Sequence, residues 1–244
     1  MPPTAALALS RELSSAGTCS LGKKFNCTPQ RSELQRRLDV VRSILDATHD
    51  HAPSAVQDIA REARGMAIVL VYAAYENMLY SLCRALLEHV ISLRVSNRRL
   101  VPGLQVFALH PKLKGLTDSS ASKIWNSSGI DIVNILSSSS CTISTDIFPD
   151  DGSHMRRAQV ATFCRLFNLG DPAPVLREAW QRIDTVVSER NAVAHGRMTP
   201  EEVGRNYSIG DMRSFLSTWE TRWNEFLDWA ESRAASRDTF RVRR

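Results

Sequence analysis

From Met66 to Tyr75 every residue is apolar. A helix apolar on all faces must be covered on all sides, so this run belongs at the centre of a helical bundle. The pattern around it predicts one long helix. Pro53-Ser54-Ala55-Val56-Gln57 reads as its start, with Ser54 and Gln57 as a capping box. It continues to about Leu93, with a possible bend at Gly65. Uninterrupted apolar sequence here falls short of the roughly 18 to 20 residues that span a bilayer, so no membrane is expected. Alanines 67, 73 and 74 let neighbouring helices approach closely. Glu76-Asn77 then breaks the run. A carboxylate on a central helix is unfavourable unless paired, so Glu76 either lies on an exposed flank or meets a cation.

The other helices follow from the same periodicity. Residues 1–30 lack a period and are expected to form a mobile arm. A first helix after Pro29 runs to about Asp46 with Leu34, Leu38, Val41 and Leu45 as its stripe. His49-Asp50-His51 has a spacing that suits a metal but no third ligand nearby, and a solvated loop is the better expectation. Residues 94–153 read as a loop-rich insert, with Ser137 to Ser140, Pro149 and Gly152 as loop signals. Within it Arg94, Arg98, Arg99, Lys112, Lys114 and Lys123 form a basic band interleaved with Phe107 and Trp125. That band either tracks a phosphate backbone or is simply solvated. Helix returns at Met155 to Phe167 and again from about Pro174, followed by a polar loop through Pro200 and Asn206. Ser208 with Asp211 opens a last helix striped by Met212, Phe215, Leu216, Trp219, Trp223, Phe226, Leu227 and Ala230. Arg233, Arg237, Arg241, Arg243 and Arg244 make 233–244 a basic tail. The fold class is all-α: a bundle of about five to seven helices in one domain, 31–232, around a long central helix.

The helix that starts near Pro174 ends in an unusual way. Leu176, Ala179, Trp180, Ile183 and Val187 form an apolar stripe, and the next position on it is Arg190. Asn191 and His195, four apart, share a neighbouring face. Gly196 supplies the left-handed residue that closes many helices, and Pro200 bars continuation. An arginine, an amide and an imidazole thus gather in one last turn. On spacing alone these are ordinary helix-end residues that satisfy free carbonyls and suit the helix dipole.

Arg190-Asn191-x-x-Ala194-His195-Gly196 resembles the R-N-x-x-A-H-G signature of the HEPN superfamily (higher eukaryotes and prokaryotes nucleotide-binding), particularly its RiboL-PSP branch. Tyr72-Ala73-Ala74-Tyr75-Glu76 is similar to the small and aromatic residues followed by an acid on that family's central helix. The resemblance is specific around the signature and extends in pattern over 55–93 and 155–232. It implies a homodimer with the two signatures facing a shared cleft, and site residues Arg190, Asn191, His195 and, more loosely, Glu76; a functional reading of that central-helix carboxylate pairs it with Arg190 or His195. It also implies a metal-independent endoribonuclease of the toxin or phage-defence sort, with RNA as substrate. His195 would move the protons, Arg190 would hold the nonbridging oxygens, and Asn191 would orient the imidazole or the ribose. A different reading is a catalytically silent dimeric module that binds nucleotide or RNA, like a nucleotidyltransferase-associated antitoxin.

Composition is compatible with both. The net charge of +5 and pI near 9.1 suit an anionic partner without demanding one. Five scattered cysteines without a C-x-x-C pair argue against a disulfide framework or a zinc site and favour a cytoplasmic protein. No phosphate-cradling glycine loop or metal-carboxylate constellation stands out, so no cofactor is expected.

Overall fold

The computed structural model describes residues 25–49, 57–116, 120–150, 152 and 155–242. Most of the arm, Asp50 and His51, Ser54 of the capping box, and the side chain of Trp125 lie outside them. The chain runs α1 (Thr28–His49), α2 (Gln57–Ser92), α3 (Pro102–Leu116), α4 (Ala121–Lys123), a π-helical stretch (Ile124–Ser128), α5 (Gly129–Ser137), α6 (Arg157–Leu166), α7 (Ala173–Ala194), α8 (Pro200–Gly204) and α9 (Ile209–Ala234). Among the described residues the fold is all-α, with one isolated backbone bridge between Leu100 and Arg241.

α1, α7, α8 and α9 pack on α2. α1 lays Leu34, Leu38, Val41 and Leu45 against the core. α9 contributes a buried aromatic row: Tyr75 of α2 meets Trp219 edge-on at 5.6 Å and Trp223 at 4.8 Å. Ser208 and Asp211 form the capping box that starts α9. The stretch Asp58–Ser92 is, by length and composition, long and apolar enough to cross a membrane. That corrects the expectation that no segment qualifies. Its Ile68, Val71, Tyr72, Leu79, Leu82 and Leu86 are buried within the bundle, as a core helix requires. Met66, expected at the centre, is 39 % exposed.

Gly65 does not bend α2. It sits inside a continuous helix, and a Cβ there would come within 1.8 Å of the Pro200 carbonyl oxygen. A Cβ on Gly204 would likewise meet the Arg61 carbonyl oxygen at 1.9 Å. The two glycines let α8 lie backbone to backbone on α2. Residues 200–204, expected as loop, are therefore a short helix with its own Thr199–Glu202 capping box. Overpacking of this kind typically costs about 1–3 kcal/mol. Gly65→Ala and Gly204→Ala are each expected to lower the unfolding free energy by that order, read as a lower urea midpoint, and an unchanged midpoint would refute the close approach.

His49 is not in a loop. It is the last residue of α1, its Nδ1 donates to the Leu45 carbonyl at 2.8 Å, and its Nε2 accepts from Arg64 Nη1 at 2.8 Å. Arg64 Nε donates in turn to the Gly204 carbonyl at 3.0 Å, so His49 serves the α2–α8 junction.

The insert at 94–153 is more ordered than a loop-rich segment, because α3 and α5 occupy it and α3 buries Leu104, Phe107 and Ala108. Phe107 packs at 5.1 Å from Phe167, which removes it from any base-stacking band. Lys112 is paired with Asp131 at 2.6 Å. The ends of the domain also differ from expectation. Phe25 and Cys27, within the segment read as an arm, are buried, and the Cys27 amide donates to Glu231 Oε2. Phe240, within the segment read as a tail, is fully buried beside the His89 ring, and Val101 N donates to its carbonyl.

Candidate functional site

α7 ends as its sequence predicts. Ala194 is the last helical residue, His195 caps it, and Gly196 takes φ +65°. Gly196 N donates to the Val193 carbonyl and Arg197 N to the Ala192 carbonyl at 2.8 Å, the pair of bonds that defines a Schellman ending. The stripe of α7 buries Leu176, Ala179, Ile183 and Val187, and Arg190 is the next residue on that side. Its half-buried guanidinium lies 4.3 Å from the centre of the Tyr72 ring, where a cation is attracted by the ring face. Arg190 Nη1 also donates to Asn191 Oδ1 at 2.8 Å.

Asn191 thus departs from one of its two expected parts, that of orienting the imidazole. It is 8 % exposed, and its carbonyl oxygen holds Arg190 rather than the imidazole. Glu76 differs as well. It makes no ion pair with Arg190 or His195 among the described residues. Its Oε1 accepts from the Tyr72 hydroxyl at 3.0 Å, so it reaches Arg190 only through the tyrosine. Burial, then the nearby Glu76 carboxylate, push the Tyr72 hydroxyl well above the usual phenol range, so it stays a donor. The His195 side chain is exposed and makes no hydrogen bond within the described chain. Arg190, Asn191, Tyr72 and Glu76 therefore form one connected cluster, and His195 projects from the helix end beside it.

Three features of the site lie outside the signature's own pattern. Tyr72 is the platform for Arg190, a role that neither the aromatic-to-acid run at 72–76 nor the four-residue step to Glu76, which puts both on one face of α2, assigns to it. Arg156, just before α6, donates to Ser188 Oγ at 3.1 Å, which brings a second guanidinium against the helix that carries the signature. Glu189, beside Arg190 in the chain, accepts from the Tyr207 hydroxyl at 2.8 Å, and burial raises its carboxyl above the usual range.

The position of α7 against α6 depends on Asp184, which accepts from Arg157 N at 2.9 Å and Arg157 Nε at 2.8 Å. Burial opposes ionisation of this carboxyl, but the bonds from Arg157 win and hold it below the usual range. Its folded-state pKa is therefore below the unfolded value of about 3.9. The stability it contributes is complete above that value and is lost as pH falls through the folded pKa. Asp184→Asn is expected to reduce the loss of stability measured between pH 5 and 2 by calorimetry. A variant that follows the wild-type acid curve would contradict this.

Among the described residues no three His, Cys, Asp or Glu side chains converge as a metal cluster would require. What the site offers is a positioned guanidinium, its amide and tyrosine supports, and an exposed imidazole. An all-α bundle carrying that arrangement at the end of a core helix is the architecture of a HEPN domain. The family model for RiboL-PSP-HEPN matches residues 32–216, and the chain belongs to that family. The matched range runs through the 94–153 region. No curated protein and no solved structure matches the chain. Membership in the family suggests a nucleotide-binding or ribonuclease-type function.

Proposed function

We propose that this protein is a homodimeric, metal-independent endoribonuclease that acts on RNA in the cytoplasm as a toxin or phage-defence effector. The observation that carries it is the held state of Arg190: Asn191 Oδ1 fixes one nitrogen and the Tyr72 ring covers a face, beside an exposed His195. A guanidinium so fixed suits two-pronged binding of a phosphate, and pre-positioning is what makes such a group stabilise a transition state.

The reaction assigned to it is internal transesterification. A ribose 2′-hydroxyl gives up its proton, its oxygen bonds to the adjacent phosphorus, and the bond from phosphorus to the 5′-oxygen breaks. The 5′-oxygen takes up a proton. Arg190 binds the nonbridging oxygens as charge grows on them. An imidazole works as acid or base near neutral pH, and a dimer supplies two. Glu76 is a positioning residue that acts through Tyr72. The dimer reading is supported by Met66, Val69, Leu70 and Ala73 of α2, which stay partly exposed along the helix that carries Tyr72.

The test is incubation of purified protein with mixed RNAs in EDTA, with light scattering of the same sample. A dimer that cuts RNA supports the proposal. A protein that binds RNA through Arg190 and never cuts is the silent module instead.

A further inference from the structure

α7 and α9 part near the α8–α9 turn and leave an open cleft of about 320 Å³. Arg182 of α7, Asn206 of the turn, and Ser214, Phe215 and Thr218 of α9 line it, with Trp219 at its floor. Glu178, Tyr207 and Asp211 also line it and are engaged, whereas four other polar side chains are not. Among the described residues Arg182 makes no ion pair or hydrogen bond, and neither do the side chains of Asn206, Ser214 and Thr218. The acids nearest Arg182 are committed elsewhere. Glu178 is paired with Arg222 at 2.7 Å, Asp211 accepts from the Ser208 amide, and Glu189 accepts from Tyr207. The Trp219 ring is 1 % exposed and its buried Nε1 has no acceptor. Phe215, half-buried, leans on Trp219 with ring centres 5.4 Å apart.

We infer that this cleft holds one unpaired nucleobase of the RNA, an inference that rests on RNA being the substrate. A phosphate would face the Glu178 and Asp211 carboxylates, which line the cleft with a single arginine. A neutral planar ring would not, and both an aromatic face and a guanidinium plane can stack on it. The amide and hydroxyls of Asn206, Ser214 and Thr218 are donors and acceptors of the kind that read a base edge. The volume is at the lower end for small-ligand clefts, about 300–1,000 Å³, and suits a single nucleoside. The cleft is also placed to matter. Arg182 and Arg190 are eight residues apart on α7, about 12 Å along the axis and turned by about 80°. A base held at Arg182 therefore belongs to a nucleotide close to the phosphate at Arg190, and the cleft would set the base preference at the cut.

The test uses the ¹⁵N-labelled full chain and follows the Trp219 indole N–H resonance, assigned through Trp219→Phe. The four nucleoside 5′-monophosphates are titrated, with ribose 5-phosphate and inorganic phosphate as controls. At least one nucleotide is expected to shift that resonance saturably and the controls not to. Arg182→Ala and Ser214→Trp, both at exposed positions, should weaken the effect by roughly fivefold or more with unchanged circular dichroism. Ser214→Trp should also flatten the base preference of mapped cut sites. Nucleotides that shift the indole in a protein that never cuts RNA would leave the base site standing and remove the catalytic reading. Normal cutting with no indole shift, or equal shifts from ribose 5-phosphate, would overturn the base site alone.

Discussion

His195→Ala is expected to slow RNA cleavage by roughly 10²- to 10⁴-fold, the range for loss of a positioned acid or base. Its imidazole is exposed and makes no hydrogen bond within the described chain, so its removal leaves no buried group unpaired. The backbone of His195 keeps the helix end, because the Schellman bonds come from Gly196 and Arg197. The variant should therefore match the wild type in circular dichroism and urea midpoint while its rate collapses. Arg190→Lys should be impaired too, with a different signature. A lysine carries the charge but lacks the planar fork that binds Asn191 Oδ1 and lies on Tyr72 while facing a phosphate. Full activity in His195→Ala would reduce the motif to a helix end.

Phe240→Ala is expected to destabilise the domain by about 3–5 kcal/mol, the usual range for emptying a buried phenylalanine site. The ring is fully buried beside His89, and Val101 N donates to the Phe240 carbonyl. Arg237 donates to the Leu93 carbonyl, and Arg241 is paired with Asp238 at 2.8 Å, so the segment is fastened on both sides of the ring. Removing residues 233–244 would strip part of the core and not merely a basic extension. Weaker RNA binding after such a truncation could then reflect unfolding. Urea denaturation of Phe240→Ala decides the matter; a midpoint equal to that of wild type would return the segment to a solvated end.

Phe240 also shows where sequence periodicity stops being informative. One aromatic among arginines has no partner at helical spacing, and its burial depends on Leu100 and Val101, far away in the chain. α8 was hidden for a related reason. Five residues are too few to show a period, and what docks them is the absence of side chains at Gly65 and Gly204. Elements with their own local signals were legible. The Leu34-Leu38-Val41-Leu45 stripe of α1 is buried throughout, the Ser208–Asp211 box starts α9, and Gly196 ends α7 with a positive φ.

The candidate site divides in the same way. Arg190, Asn191 and His195 stand out because they crowd one helical turn. Their partners depend on how α2 and α7 cross, which no spacing records. That crossing sets the Tyr72 ring under Arg190 and leaves Glu76 bonded to the tyrosine instead of the arginine. Asn191, exposed in an isolated helix, becomes a buried support once Arg190 folds back on it. Of the residues in the basic band, Phe107 is taken up in the core against Phe167, a contact that its spacing does not record.

The central claim is that Arg190 and His195 direct a ribose 2′-oxygen onto the neighbouring phosphate. End-group analysis of the RNA fragments released in EDTA tests it most directly. The account expects 5′-hydroxyl ends and 2′,3′-cyclic or 3′-phosphate ends, with no cut after a nucleotide lacking its 2′-hydroxyl. Fragments with 5′-phosphate and 3′-hydroxyl ends, or cutting that tolerates a 2′-deoxynucleotide at the scissile position, would contradict it.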